Sequence, residues 1–438
     1  MTYSFGTTQG TYGRLVTVSD NNAPNLHSTQ YSYDLMGDIT NVTQRTDGVT
    51  YNTAYLPNDA GLTKQLTYPS TDSLTLAYNS NGTLASITGS DGKQYASGLS
   101  YNPAAQVTGY KMGWSAGAVT AILGYSPGLM LSSINYSTTT GTLFGLTYGY
   151  TQNQAPFGNG QITSITDSRL PSSPATYGYD ALNRLTSYST QALTNVYPQE
   201  SMSWAYDRYG NRTQQVQNGT AQTLTPIAGS NRLTGYSYDS SGNLTNDGTN
   251  SLVWDAANRM VNYASGGVKH EYDGNGMRVR RTVSASGSDV VYVFSGTQPL
   301  AEYSAGAAAT NPNVEYVYLG GQLIASKSGA AYTFYVRDQL SVRQVLTDST
   351  SGTTVTEQGH LPFGENWYPS GNTNKWTFTS YERDAVSGDD YAQARRYQYA
   401  YGRFSLCLAK MSSGRRMGAI SDFGSCIGVG LWSRKAPR

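Results

Sequence analysis

Three carboxylates crowd together near the end of the chain, Asp384, Asp389 and Asp390, with Arg383, Arg395 and Arg396 interleaved. Paired carboxylates can share a proton and activate water, and three together can ligate a hard cation. Calcium takes about six to eight oxygens, however, and nothing nearby supplies them in loop-type spacing. The interleaved arginines favour a plainer reading, a charged turn whose acids and bases pair with one another. His360 stands just ahead of Pro362-Phe363-Gly364 without a Ser-Asp or Cys partner in its sequence context, which fits packing or hydrogen bonding rather than nucleophilic catalysis. The three histidines (His27, His270, His360) lie far apart, and the two cysteines, Cys407 and Cys426, both follow Phe404. Neither set has ligand spacing, so no metal and no other cofactor is expected. Gly158-Asn159-Gly160 and Gly274-Asn275-Gly276 lack the third glycine and the following helix of a phosphate loop, and read as turns.

Charged residues make up only 13% of the 438, and 29 basic side chains nearly balance 28 acidic ones. A net charge of +1 leaves no electrostatic footprint for nucleic acid or an acidic membrane. No stretch approaches the roughly 18 uninterrupted apolar residues of a membrane span. The opening MTYSFGTTQGTYGRL lacks the basic start and apolar core of an export signal. The 37 tyrosines, 48 glycines and abundant Thr and Val suit strands joined by tight turns. The fold class expected is all-β.

The elements that must position any site are short repeats. YSYDLMGDIT (Tyr33-Asp34), YGYDALNRLTSYS (Tyr179-Asp180), WAYDRYGNRTQQV (Tyr206-Asp207) and YSYDSSGNLTND (Tyr238-Asp239, Gly242-Asn243) share one frame. LVWDAANRMVNY (Trp254-Asp255) and HEYDGNGMRVRRTV (Tyr272-Asp273) follow it too, with weaker copies around Tyr78, Tyr101 and Tyr125. In each, the aromatic ends a strand, the Asp or Asn accepts a backbone N–H, and a later Gly or Asn takes positive φ. The alternating tail is the return strand. Such hairpins bury a face only against their neighbours, so a solenoid-type array is expected. Exposed tyrosines and tryptophans offer an alternative use, sugar stacking multiplied by repetition, against the plainer reading of cross-strand ladders.

The Tyr-Asp-x-x-Gly-Asn units resemble the YD repeats of the Rhs (rearrangement hot spot) and wall-associated polymorphic-toxin proteins, also found in teneurins. The end of the chain is similar to the Rhs repeat-associated core. Asp338 through Arg343, Pro362-Phe363-Gly364-Glu365, Glu382-Arg383-Asp384, Gly388, Asp390-Tyr391, Ala394-Arg395 and Gly402-Arg403-Phe404 follow that core's motifs in order. The resemblance implies a YD β-shell over 1–326 and a core plug over 327–404; by composition, 405–438 is an atypical basic tail. It also implies that the shell encloses a C-terminal toxin and delivers it with secretion-system or surface components. Carbohydrate is the alternative partner, in a cell-surface adhesin; nucleic acid is not expected as one. The chain is expected to act secreted or at the cell surface, as part of a longer protein.

Departures from that pattern matter as much. Many such proteins are implied to cut themselves just after the core with aspartates in an Asp-Pro-x-Gly-like segment. Here Ser405-Leu406-Cys407-Leu408-Ala409-Lys410 stands in its place, and no Asp occurs after Phe404 until Asp422. An aspartyl mechanism needs two carboxylates at one site, one of them protonated. The expectation is therefore a chain without catalysis, whose tail reflects a frame disruption after Phe404.

Overall fold

The computed structural model describes residues 1–20, 27–113, 119–150, 160–191, 197–347, 354–370, 374–393 and 395–405. Cys407, Cys426, Asp422, Ala394 and nearly all of the tail lie outside them. The described chain is all-β: strands joined by tight turns, with the 3-10 turn Phe378–Ser380 as its one helical element among these residues. No described helix is long and apolar enough to cross a membrane.

Two compact units are built from interleaved stretches. The first comprises Met1–Val119, Arg259–Tyr335 and Leu346–Thr353; the second comprises Thr120–Asn258, Val336–Val345 and Thr354–Arg438. In the first unit each strand from Thr2–Phe5 to Val107–Met112 pairs antiparallel with the next. A second run of antiparallel neighbours extends from Met260–Tyr263 to Ala331–Arg337. These two runs meet through side chains. Gln44 Nε2 donates to the Tyr292 carbonyl at 2.7 Å, Tyr55 Oη to Ser295 Oγ at 2.7 Å and Tyr68 Oη to the Tyr316 carbonyl at 2.8 Å. The partners are 248, 240 and 248 residues apart, so the later run tracks the earlier one side by side and in the same chain direction. Tyr51, Val291, Val293, Ala301 and Tyr303 form an apolar core where they meet.

The second unit repeats the plan. Strands from Leu131–Thr138 to Thr220–Thr223 pair in succession. Against them lie the hairpin Thr354–His360 with Asn366–Ser370 and a small sheet of Glu382–Arg383, Asp390–Ala392, Arg395–Gln398 and Arg403–Phe404. Leu361 and Phe363 bury themselves among Leu185, Tyr188, Met202 and Trp204, with the Phe363 and Trp204 rings edge to face at 5.2 Å. Removing that much apolar surface from water is worth about 2 to 3 kcal/mol per large side chain, so this cluster anchors the late segment on the repeat hairpins.

Candidate functional site in the closing block

The repeat turns at Asp34, Asp180, Asp207, Asp239 and Asp273 share one construction. The Asp207 amide donates to the Asn211 carbonyl at 3.0 Å, and the Gly210 amide donates back to the Asp207 carbonyl at 3.1 Å. Asp207 Oδ1 accepts the amides of Tyr209 and Asn211 at 2.9 and 2.8 Å. Asp34, Asp180, Asp239, Asp255 and Asp273 accept amides of their own turns likewise. These contacts hold the Asp207 and Asp180 carboxyls below the ordinary range against the opposing effect of burial. The third residue after the Asp takes positive φ, as at Gly37, Asn183, Gly210, Gly242, Asn258 and Gly276.

The tyrosine that precedes the Asp sits at a register shift in the ladder, where the strand bends into the turn. Its polar tip reaches back to the previous hairpin. Tyr206 Oη donates to the Leu185 carbonyl at 2.7 Å, Tyr179 to Ile162 at 2.8 Å, Tyr33 to Leu15 at 2.7 Å and Tyr272 to Met260 at 2.9 Å. Trp254 uses its indole Nε1 on the Leu244 carbonyl at 2.6 Å. Tyr238 departs from the rule, because its hydroxyl accepts from the Leu233 amide at 3.0 Å. Arginines add a forward link that sequence reasoning missed. Arg184 donates to the Asp207 carbonyl at 2.9 Å and lies over the Tyr206 ring, and Arg259 treats Asp273 and Tyr272 the same way. The available signal was a basic residue four positions after the turn Asp.

Pro362-Phe363-Gly364-Glu365 forms this turn once more. The Leu361 amide donates to the Glu365 carbonyl at 2.8 Å and the Gly364 amide to the Leu361 carbonyl at 2.9 Å. Gly364 has φ of 100°, and a Cβ there would lie 2.6 Å from the Phe378 ring. Glycine is required twice over, by conformation and by space. Glu365 is buried, and burial pushes its carboxyl upward while the Phe363 amide donates to Oε2 at 3.2 Å.

The small sheet beyond this turn is laced by charge. Arg383 grips the fully buried Asp390 with two hydrogen bonds, 2.8 and 2.9 Å, and donates to the Gly364 carbonyl at 2.8 Å. Its guanidinium also lies 4.3 Å from the Tyr399 ring centre. Arg396 faces Asp389 at 3.5 Å and Asp384 at 3.6 Å, and donates to Ser387 Oγ at 2.8 Å. Asp384 shapes its own turn by accepting the Val386 and Ser387 amides, and Gly388 closes it with φ of 75°. Glu382 and Tyr391 are buried partners in the ladder, and Arg395 stacks 3.7 Å from the Phe404 ring centre. The sheet is tied to the repeats by Arg403, which donates to the Asn231 carbonyl at 2.8 Å and Asn211 Oδ1 at 3.2 Å. Arg212 returns the link by donating to the Ala400 carbonyl at 2.6 Å. Gly402 lies so close to Arg212 and Phe363 that a Cβ would come within 3.0 and 3.1 Å of them.

A second charged group stands nearby. Arg343 donates to Tyr368 Oη at 2.7 Å and the Gln358 carbonyl at 2.9 Å, and pairs with Asp338 at 3.1 Å. Asp338 Oδ1 accepts the Leu340 and Ser341 amides. Arg169 bridges Asp167, Glu357 and Tyr368.

The arrangement's chemistry is that of a lock. Burial pushes the Asp389 carboxyl up to about 6, with Arg396 opposing, and also raises Asp390 against the pull of Arg383. Each of the three carboxylates faces a guanidinium, and desolvated pairs of this kind hold firmly once formed and are costly to break. Burial, with Arg383 and Arg343 nearby, keeps His360 neutral; it packs against Phe378. In the first unit His27, Asp47 and Glu271 converge within 4.8 Å despite their separation in sequence. There Arg280 pairs with Asp47 at 2.7 Å and approaches Glu271 at 3.5 Å, while His27 Nε2 lies 3.0 Å from Glu271, so the acids already face bases.

No family model matches the chain. Among curated relatives, the tRNA3(Ser)-specific nuclease WapA of Bacillus spizizenii is 25% identical over 245 residues. The tRNA nuclease WapA of Bacillus subtilis (strain 168) is 25% identical over 244. Each match takes in 52% of this chain and only 10% of the relative, so the chain spans about a tenth of their length. Among solved structures, the Photorhabdus luminescens Tc holotoxin pore matches with a TM-score of 0.76 at 17% identity, covering 98% of this chain and 24% of that one. TcdB2-TccC3 without its hypervariable C-terminal region matches with a TM-score of 0.73 at 17% identity, over 91% and 23%. At such identity the likeness is one of fold: this chain is an all-β array of antiparallel hairpins similar to about a quarter of the chain in those toxin structures.

Proposed function

We propose that this chain is a segment of an Rhs-type polymorphic toxin, a YD-repeat β-shell closed by its core block, and that it encloses and delivers a C-terminal effector. The observation that carries the reading is the return of the closing block onto the repeats, at Phe363 through its contact with Trp204 and at Arg403 and Ala400 through bonds to Asn211, Asn231 and Arg212. A block so tied ends the array by plugging it, and a polypeptide continuing past Phe404 would start from a point fixed against the hairpins. The fold likeness to TcdB2-TccC3 and the partial sequence likeness to the WapA nucleases support the same reading. On it the chain acts without catalysis, the aspartates serve as half of a charged lock, and the effector is the partner. The repeat tyrosines that spend their hydroxyls on backbone acceptors favour ladders over sugar platforms.

The reading is tested by placing a small fluorescent domain after Ser405 and probing it with an antibody to that domain. Capture is expected to fail for the native protein and to appear once denaturant opens the array. Equal capture in both states would contradict encapsulation. Selective binding on a glycan array would instead favour the adhesin.

A further inference from the structure

One side-chain group in the first unit has no part in the lock. Lys327 lies on strand Gln322–Ser328, directly opposite Glu315 on strand Val314–Leu319. Its ammonium forms an ion pair with Asp72, which comes from a turn 255 residues earlier. Ser70 Oγ, from the same turn, donates to Glu315 Oε1 at 2.5 Å. Tyr68, Leu74, Tyr95 and Val317 line a shallow cleft with the three charged groups. Asp91 stands 3.6 Å from Lys327 and accepts the Tyr332 hydroxyl.

We propose that Lys327 and Asp72 condense within the folded chain to form an isopeptide bond, with Glu315 handling the proton. The step begins from the ion pair. The ammonium gives one proton to the Asp72 carboxylate, leaving an amine beside a neutral carboxylic acid. Lys327 Nζ attacks Asp72 Cγ, the Nζ–Cγ bond forms, and one Cγ–O bond breaks. The oxygen leaves as water with two hydrogens that began on nitrogen; no oxidant or reductant is needed.

Physical chemistry favours Asp72 over Asp91 as the acceptor. Glu315 is 3% exposed, and burial pushes its carboxyl up to about 7, so near neutrality much of it is protonated. A protonated carboxyl hydrogen-bonded to Asp72 polarises that carbonyl and can return a proton to the departing oxygen. Asp91 is held below the ordinary range by Tyr332, Lys93 and Lys327 despite burial, and stays a poorly electrophilic carboxylate. Burial lowers the basicity of Lys327, but Asp72 outweighs it and keeps the ammonium. Proton transfer within the pair is therefore the difficult step, and held proximity is what offsets it. The product would join the two runs of the first unit covalently.

Intact-mass spectrometry of the purified full chain, with circular dichroism to establish that it is folded, tests the proposal. The expected mass is that of the sequence less one water, and digestion should yield a branched peptide joining Asp72 to Lys327. Lys327→Arg and Glu315→Gln should each restore the full mass. A folded chain with the full mass overturns the proposal. So does a water loss that maps elsewhere, such as Asp91-Gly92, or one that persists in Lys327→Arg.

Discussion

Part of the reason this chain uses 37 tyrosines and only 9 phenylalanines is where the hydroxyls of the repeat tyrosines go. A phenylalanine could fill the same half-buried slot, but it could not reach the backbone carbonyl of the preceding hairpin. Replacing Tyr206 by Phe removes only that bond and should lower stability by about 1 kcal/mol. Tyr209→Phe, at a 59% exposed turn tip, should be neutral when both variants are compared by denaturant titration. Gly364→Ala faces both its positive φ and the Phe378 ring, and should cost more than about 2 kcal/mol. Gly48→Ala, with φ of 83° and open space, should cost about 1 kcal/mol, from the backbone alone. Asp389 gives a pH signature. Its carboxyl titrates near about 4 when unfolded and about 6 when folded. The stability it contributes is therefore full below about pH 4 and is lost as pH rises through about 6. Asp389→Asn should remove that part of the slope, so thermal melting from pH 4 to 7 should fall less in the variant than in the parent.

At the scale of elements, the closing sheet depends on pairs rather than on area. Its strands are two to four residues long and could not persist by ladder alone. Asp390→Asn leaves the largely covered Arg383 without its counter-charge and should cost about 3 kcal/mol. Hydrogen exchange should show the loss first in Asp390–Ala392 and Arg395–Gln398, with the strand Ser201–Tyr206 less affected. The same scale divides what the sequence made legible from what it hid. Alternation and Tyr-Asp punctuation are local, so the all-β class and the hairpins could be read directly. The carbonyls that accept the hydroxyls of Tyr33, Tyr179, Tyr206 and Tyr272 are 12 to 21 residues back, and no residue type marks a backbone carbonyl. Pro362-Phe363-Gly364-Glu365 lacks the Tyr-Asp pair, which hid its kinship with the repeat turn. The partners of Arg403 and Arg212, 192 and 188 residues distant, depend on how one run lies along another, and composition carries no trace of that.

At the scale of the whole molecule, the claim is that the array closes on its own end and shelters the polypeptide attached there. The most direct measurement is the cleavage rate at one protease recognition sequence placed in two positions. One copy goes after Ser405; the other goes between Leu35 and Met36, at a turn tip where both side chains are about 80% exposed. Encapsulation predicts rapid cutting at the tip and resistance after Ser405 that disappears when the array is unfolded. Equal cutting at the two positions in the native protein would contradict it.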